Sequence, residues 1–187
     1  MSLTAPRIPP VLPSEWTQEM REFFAVMEGP EARQQGSKFN VVLTLAHHPQ
    51  MALPFMNYYK VLLSNSTLSL RLREIITLRI ALHHQSEYEW VQHVAIGKSV
   101  GLGDEHIEAI KLIEGQGAEV ALWSDLERDA IRAVDQLATG SQIDDATWNG
   151  LSRHLNRQEM IELLFIIGTY TLLCYAFNAM GVQLEQR

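Results

Sequence analysis

The sequence predicts an all-α fold. Apolar residues recur at helical spacing along most of the 187 residues, and no segment shows the sustained apolar and polar alternation, bounded by turn signals, that strands show. Residues that start or stop helices also bound the apolar segments, with Ser, Thr or Asp before several of them and Gly or Pro after them. We expect an arm and a first helix over residues 1–30, followed by a single helical domain over residues 31–187.

Prolines and caps set the predicted helices of the first half. After a proline-rich arm, SEWTQEMREFFAVME is an amphipathic helix that stops near Gly29-Pro30. VVLTLAHHP ends at Pro49, and QMALPFMNYYKVLLS has a kink or a start near Pro54. LSLRLREIITLRIALHH follows as a strong helix that is entered from Ser66-Thr67.

Similar signals continue toward the C-terminus. EYEWVQHVAIGKSV stops at Gly101, and Gly103-Asp104 caps DEHIEAIKLIEG. The capping box Ser124-x-x-Glu127 begins LERDAIRAVDQLA, and Asp144-Asp145 begins DATWNGLSRHL. A long apolar helix closes the chain.

That last helix raises the question of a membrane. Residues 163–184 carry no charge and are numerous enough to cross a bilayer. However, Gly168, Thr169 and Asn178 dilute the apolar content, and no basic cluster flanks the segment. A buried core helix or an oligomer interface is therefore the favoured interpretation, and we expect no membrane partner.

Charge and cysteine content narrow the partners and the compartment. The formal net charge is -7, and the 15 Lys and Arg are scattered, whereas a nucleic-acid surface needs clustered cations. The single cysteine, Cys174, cannot form an intrachain disulfide, and the N-terminal prolines interrupt any signal peptide. We expect a cytoplasmic protein with no nucleic-acid partner.

The two halves of the chain show a faint internal repeat. Residues 73–93 align with residues 158–178 at a constant offset of 85, which pairs Glu89 with Cys174 and His93 with Asn178. Chance similarity between apolar helical segments is the alternative explanation.

The segment HHQSEYEWVQH, residues 83–93, concentrates ionisable side chains at a helix start. A turn of about 100° per residue puts Glu89 and His93 on the inward arc of this helix, four residues apart. The preceding helix carries Glu74 on an apolar face, and the short connection makes the two helices neighbours. Because a carboxylate favours a protonated imidazole while burial opposes it, these three groups are candidates for an acid-base site.

Each of these residues also has a structural interpretation. Ser86-x-x-Glu89 matches a capping box, which would turn the Glu89 carboxylate back toward the Ser86 amide. His93 is then a hydrogen-bonded core histidine, Trp90 fills the core, and Tyr88 lies on the polar side of the helix.

The spacing of Glu74, Ser86, Glu89 and His93 resembles that of the carboxymuconolactone decarboxylase and alkyl hydroperoxidase D-like superfamily. The segments LRLREIITLRIA, YEWVQH and GLGDEHIEAI resemble its core helices, over about residues 40–115. The redox branch has Cys-x-x-Cys where this chain has Ser86-Glu-Tyr-Glu89, so the thiol chemistry has no nucleophile here. The resemblance implies an alkyl hydroperoxidase D-like helical bundle, a homo-oligomer that is a trimer or hexamer, and the cofactor-free branch.

For that branch, the resemblance implies decarboxylation or isomerisation of a small carboxylated lactone or a related intermediate of aromatic catabolism. His93 is the expected proton donor, and Glu74 or Glu89 is its orienting partner. The residues that we expect to contact the substrate are Ser86, Trp90, Arg79 and His83, of which the last two supply positive charge for an anionic substrate.

Three alternatives remain at this point. A metal site is disfavoured because the HExxH motif is absent, and we expect neither metal nor cofactor. A non-catalytic oligomeric binding protein would use the same polar residues only to cap helices and fix their register. A relative of the hydroperoxidases that has lost its redox cysteines is the third.

Overall fold

A computed structural model describes residues 5–112 and 120–185 of the chain, and these residues form helices without any strand. The all-α prediction is confirmed. The chain divides into two compact units, one made of residues 1–65 and 177–187 and the other of residues 66–176. This division differs from the boundary after residue 30 that the sequence suggested.

The described residues contain ten α-helices and one short 3-10 turn at Pro13–Glu15. The α-helices are α1 (Gln18–Glu28), α2 (Ala32–Gln35), α3 (Asn40–Leu45), α4 (Pro49–Ser64), α5 (Leu70–His83), α6 (Glu87–Ser99), α7 (Asp104–Ile110), α8 (Asp125–Gly140), α9 (Asp145–Ser152) and α10 (Arg157–Met180).

The first unit is built on the amphipathic helix α1. Its buried face carries Phe23 and Phe24, and α1 packs against α2 and α4. Thr17 begins α1 by accepting a hydrogen bond from the Met20 amide, and Gly29, with φ 98°, ends it in a conformation that side chains disfavour. The predicted first helix is therefore confirmed.

Two boundaries in this unit differ from the expected ones. The segment ending at Pro49 is helical only to Leu45, because Pro49 begins the next helix, α4. Proline fits the first turn of a helix, since its missing amide would have no partner there. Pro54 lies inside α4, so the helix does not start there, and a kink at that residue stays a prediction.

The second unit is organised around α5, which is buried along most of its length. It contacts α6, α7 and α8, and its core includes Ile75 and Leu78 from α5 itself with Leu102, Ile110 and Ile131 from its neighbours. Such burial on several sides explains why α5 has no single apolar stripe.

The start of α5 corrects a sequence prediction. Ser69 caps the helix through the Leu72 amide, whereas Ser66-Thr67 was the predicted entry. Ser66 and Thr67 instead donate hydrogen bonds to the Glu162 carboxylate at 2.9 Å and 2.8 Å. The Ser66 hydroxyl also accepts from the Leu68 amide, so these two residues form the turn that precedes the helix.

Later boundaries follow the predicted caps. Ser124 and Glu127 form the expected capping box of α8, and Asp144 caps α9 through the Thr147 amide. The segment DEHIEAIKLIEG is helical to Ile110, and its last residues, 113–115, lie outside the described residues.

The two segments aligned as a repeat differ in structure. Residues 73–93 span the end of α5, a turn and the start of α6, whereas residues 158–178 all lie within the continuous helix α10. The two aligned segments therefore differ in their arrangement of helices.

α10 is the one helix in the described ranges that has the length and apolar content to cross a membrane. Half of that apolar window is buried inside the structure, including Leu163, Ile166 and Cys174. A helix that is half buried in this way agrees with the core helix that the sequence favoured over a membrane span.

Candidate active site

A tight turn between α5 and α6 brings the candidate residues together. Gln85 adopts φ 50°, which ends α5, and the Ser86 amide donates to the Ala81 carbonyl at 2.9 Å. The two helices then run as neighbours, with Glu74 on α5 and both Glu89 and His93 on α6. The predicted meeting of these three side chains is what the structure shows.

The imidazole of His93 lies between two carboxylates. Its Nδ1 is 2.7 Å from Oε2 of Glu74, and its Nε2 is 3.2 Å from Oε2 of Glu89. All three residues are buried, with exposed fractions of 5% to 7%. The shorter hydrogen bond crosses between helices and fixes the ring, and the longer one is the weaker of the two.

The protonation of His93 follows from these contacts. Burial lowers the pKa of the imidazole, but the hydrogen bonds and charges of Glu74 and Glu89 outweigh it and raise the pKa to about 9. The ring is therefore an imidazolium at neutral pH, with each N–H donating to one carboxylate.

Helix α10 supplies a further wall that the sequence reasoning missed. The Tyr170 ring meets the His93 ring edge-on, with centroids 5.1 Å apart. Cys174, one turn further along α10, is fully buried. Burial raises the pKa of this thiol to about 12, and the nearby Glu89 charge acts in the same direction. The only available sequence signal was the i, i+4 spacing of two chemically active side chains within an apolar helix.

Ser86 lies at the same site but does not cap α6 as predicted. It occupies the N-cap position without a side-chain capping bond, the Glu89 carboxylate lies against His93, and the Ser86 amide donates to the Ala81 carbonyl. The capping-box interpretation is therefore wrong. The buried Ser86 hydroxyl instead faces the Cys174 thiol, on whose pKa it has a small lowering effect.

Two neighbours of the site on α6 differ in their surroundings. Tyr88 is buried, so its predicted place on a polar face is wrong; α6 is covered on more than one side. Trp90 packs against the core cluster of α5 and α7, and Lys111 Nζ lies 5.7 Å from its ring centroid. A substrate contact for Trp90 stays a prediction.

The structure does not bring Arg79 and His83 to the His93 cluster. Arg79 forms a two-pronged ion pair with Asp135 of α8, with its Nε 2.5 Å from Oδ1, and it also donates to the carbonyls of Ile110 and Leu112. His83 Nε2 lies 2.7 Å from the same carboxylate. Both side chains are therefore engaged at the α5–α8 contact.

The described residues contain no group of three or more His, Cys, Asp or Glu side chains arranged to hold a metal ion. In the His93 cluster both ring nitrogens lie against carboxylate oxygens. The arrangement suits proton transfer.

Fold and site together define an all-α protein whose helix-turn-helix carries a buried Glu–His–Glu cluster. The model of the carboxymuconolactone decarboxylase family matches residues 49–136, a segment that includes all three side chains. This segment therefore matches the carboxymuconolactone decarboxylase family, to which the spacing of Glu74, Ser86, Glu89 and His93 pointed. No curated protein matches the chain at a significant level.

Solved structures extend the likeness to nearly the whole chain. A peroxidase-related protein from Ralstonia eutropha with an alkylhydroperoxidase core is 20% identical, with a TM-score of 0.76 over 96% of this chain and 92% of that one. A cysteine-to-alanine variant of the debrominase Bmp8, in complex with 2,3,4-tribromopyrrole, is 20% identical, with a TM-score of 0.73 over 97% and 93%. A peroxidase-related protein from Silicibacter is 18% identical, with a TM-score of 0.73 over 98% and 91%. At these identities the likeness establishes the fold.

Proposed function

We propose that this protein is a cofactor-free enzyme of the carboxymuconolactone decarboxylase family. Its reaction is the decarboxylation or isomerisation of a small carboxylated lactone or a related intermediate of aromatic catabolism. The observation that carries the proposal is the protonated His93, held between Glu74 and Glu89 in a buried site. Such a group stores one proton at neutral pH and delivers it to a substrate carbon.

The two carboxylates have different roles in this proposal. Glu74, at 2.7 Å from Nδ1, holds the ring and its charge in place. The Nε2 proton is the mobile one, because the 3.2 Å contact with Glu89 is weaker and is more easily exchanged for a substrate atom. The Ser86 hydroxyl, which is buried beside the Cys174 thiol, donates to a substrate oxygen in this proposal.

In decarboxylation, the bond between the substrate carbon and its carboxylate breaks and carbon dioxide leaves. The electron pair moves into the conjugated lactone carbonyl and forms an enolate, which the imidazolium stabilises. His93 then transfers the Nε2 proton to carbon, and a proton from solvent restores the ring. In isomerisation, the Glu89 carboxylate accepts a proton from one carbon, the His93 imidazolium delivers its Nε2 proton to another carbon, and the proton on Glu89 then restores the ring.

Charge sets the orientation of the substrate. The carboxyl groups of Glu74 and Glu89 border the ring on both sides, so a substrate carboxylate placed beside them would be repelled. The carbonyl end of the substrate therefore faces the imidazolium. Arg79 and His83 are engaged with Asp135, so binding of the substrate carboxylate by these two residues stays a prediction that requires their rearrangement.

An assay of the turnover of 4-carboxymuconolactone, in which the release of carbon dioxide is measured, tests the proposal. We expect His93→Gln to lower kcat by about 100-fold or more, because general acid catalysis contributes about that factor. The matched control is His154→Gln, which changes an exposed histidine outside the site. Loss of turnover with unchanged circular dichroism supports the proposal, and equal rates for wild type and His93→Gln contradict it.

A non-catalytic binding protein is the second candidate, and one observation favours it. Both ring nitrogens of His93 already have buried partners, as they would in a core histidine with a purely structural role. In that case, His93→Gln lowers stability but leaves small-molecule binding unchanged. A hydroperoxidase role is disfavoured by the high pKa of Cys174, and assays of hydroperoxide consumption with a dithiol reductant test it.

A further inference from the structure

A concave site lies among α5, α8 and α10, and its lining does not include Glu74, Glu89 or His93. It has a volume of about 380 Å³, which is within the range of small-molecule pockets. Its apolar wall is formed mainly by branched side chains from the three helices: Ile80, Val134, Leu137, Leu164 and Ile167. Gly168, Thr171 and Tyr175 of α10 also line the cavity, whereas Tyr170 of the same helix lies against His93.

Polar groups gather toward one part of this cavity. Thr171 and Tyr175 are four residues apart on α10, so their side chains are neighbours. The His84 ring meets the Tyr175 ring edge-on, with centroids 4.8 Å apart. These three side chains offer hydroxyl and imidazole groups beside an aromatic surface.

The cavity is lined by uncharged side chains. No Asp, Glu, Lys or Arg is among the described residues that line the cavity. Burial, and to a lesser extent the nearby His83, lower the pKa of His84, so its ring is neutral at pH 7. A charged ligand would lose its hydration here without gaining an opposite charge.

We propose that this cavity binds an uncharged aromatic molecule with a single hydroxyl group, of the phenol class. The aromatic ring of the ligand packs between the aliphatic wall and the His84–Tyr175 pair, and its hydroxyl exchanges hydrogen bonds with Thr171, Tyr175 or His84. The site is separate from the proposed reaction centre and does not depend on its activity.

Gly168 offers a position at the edge of the cavity where a large side chain can be added without a clash. It lines the cavity on α10, and a Cβ built at this position meets no described atom within 4 Å. Gly140, at the end of α8, has the same open surroundings but does not line the cavity. Gly168→Phe and Gly140→Phe are therefore a matched pair, identical in chemistry and different in position.

Isothermal titration calorimetry of the full chain with 2-naphthol at pH 7 tests the proposal. We expect saturable one-to-one binding to the wild type, weakened about tenfold or more by Gly168→Phe and unchanged by Gly140→Phe. Tyr175→Phe removes one hydroxyl and is expected to weaken binding about threefold to tenfold, the effect of one hydrogen bond. 2-Naphthoate, which has the same rings but carries a charge, is expected to bind at least about tenfold more weakly.

The outcomes separate this site from the His93 cluster. His93→Gln is expected to bind 2-naphthol as the wild type does, so failure of the proposed reaction leaves this test intact. Absence of 2-naphthol binding to the wild type overturns the proposal, as would follow if a second copy of the chain filled the cavity. Equal affinities for Gly168→Phe and Gly140→Phe, or tighter binding of 2-naphthoate than of 2-naphthol, also overturn it.

Discussion

At the scale of single residues, the main feature of the interior is the His93 imidazole, whose charged form is stabilised by two carboxylates. An unpaired imidazolium at the depth of His93 would release its proton, because burial disfavours the charged form. Glu74 and Glu89 reverse that preference from opposite edges of the ring. The same contacts that prepare the ring for proton transfer therefore also link folding to pH.

The stability of the protein is expected to fall as pH rises from about 6.5 to 9. The pKa of His93 is about 9 in the folded state and about 6.5 when unfolded, so the folded state binds the proton more tightly. This contribution is complete below pH 6.5 and lost above pH 9, and it is on the order of 3 kcal/mol. Urea unfolding across this range measures it.

His93→Gln supplies the comparison for that measurement. Glutamine does not titrate, so the variant is expected to show a flatter dependence of unfolding free energy on pH between 6.5 and 9. His154→Gln, at an exposed position, is expected to keep the wild-type slope. Identical slopes for wild type and His93→Gln would show that the ring is not protonated in the folded state.

The sequence predicted the Glu74, Glu89 and His93 cluster because helical spacing and a short turn determine it locally. It did not decide whether Glu89 caps α6 or faces His93, since both arrangements fit the same spacing. The partner of Arg79 was also out of reach. Asp135 lies 56 residues away, and the contact depends on how α8 packs against α5.

At the scale of helices, a buried ion pair joins α5 to α8. Arg79 and Asp135 have side-chain exposures of 1% and 4%, and Arg79 also donates to the carbonyls of Ile110 and Leu112 at the end of α7. One guanidinium thus connects three helices. Its charge is tolerated in the interior because each nitrogen has an oxygen partner.

Asp135→Asn is expected to lower the free energy of unfolding by about 3 to 5 kcal/mol, because it leaves the buried Arg79 without its counter-charge. Asp125→Asn is the matched control on the same helix. It removes an ion pair with Arg128 in which the carboxylate is 76% exposed, so little change is expected. Urea denaturation of the two variants measures the difference, and equal midpoints would contradict the role given to the buried pair.

Helix boundaries show where local signals suffice. The caps at Ser124 and Asp144 were predicted correctly because each side chain bonds an amide within its own first turn. Ser66-Thr67 does not cap α5, and both residues donate to Glu162 of α10. Tertiary contacts of that kind have no local sequence signature.

At the scale of the whole molecule, α10 presents apolar side chains to solvent. Ile161, Phe165 and Leu172, none of which lines the cavity, are 53% to 57% exposed and are spaced by four and seven residues. That spacing forms one continuous stripe, the pattern by which helices pair with other helices. A stripe of this size on a protein of net charge -7 favours coverage by another polypeptide surface over exposure to water.

We therefore predict that the protein is a homo-oligomer in which a second copy covers this stripe. Light scattering coupled to gel filtration is expected to give the mass of a trimer or hexamer for the wild type. Leu172→Glu is expected to reduce that mass, because it places a charge within the covered stripe.

The control is Val61→Glu on α4, which makes the same kind of change at a residue that is 54% exposed and is expected to preserve the assembly. Leu172 does not line the cavity beside Gly168, so the variant is expected to keep its affinity for 2-naphthol while the oligomer dissociates. A monomeric wild type, or equal masses for Leu172→Glu and wild type, would show that the stripe has another role.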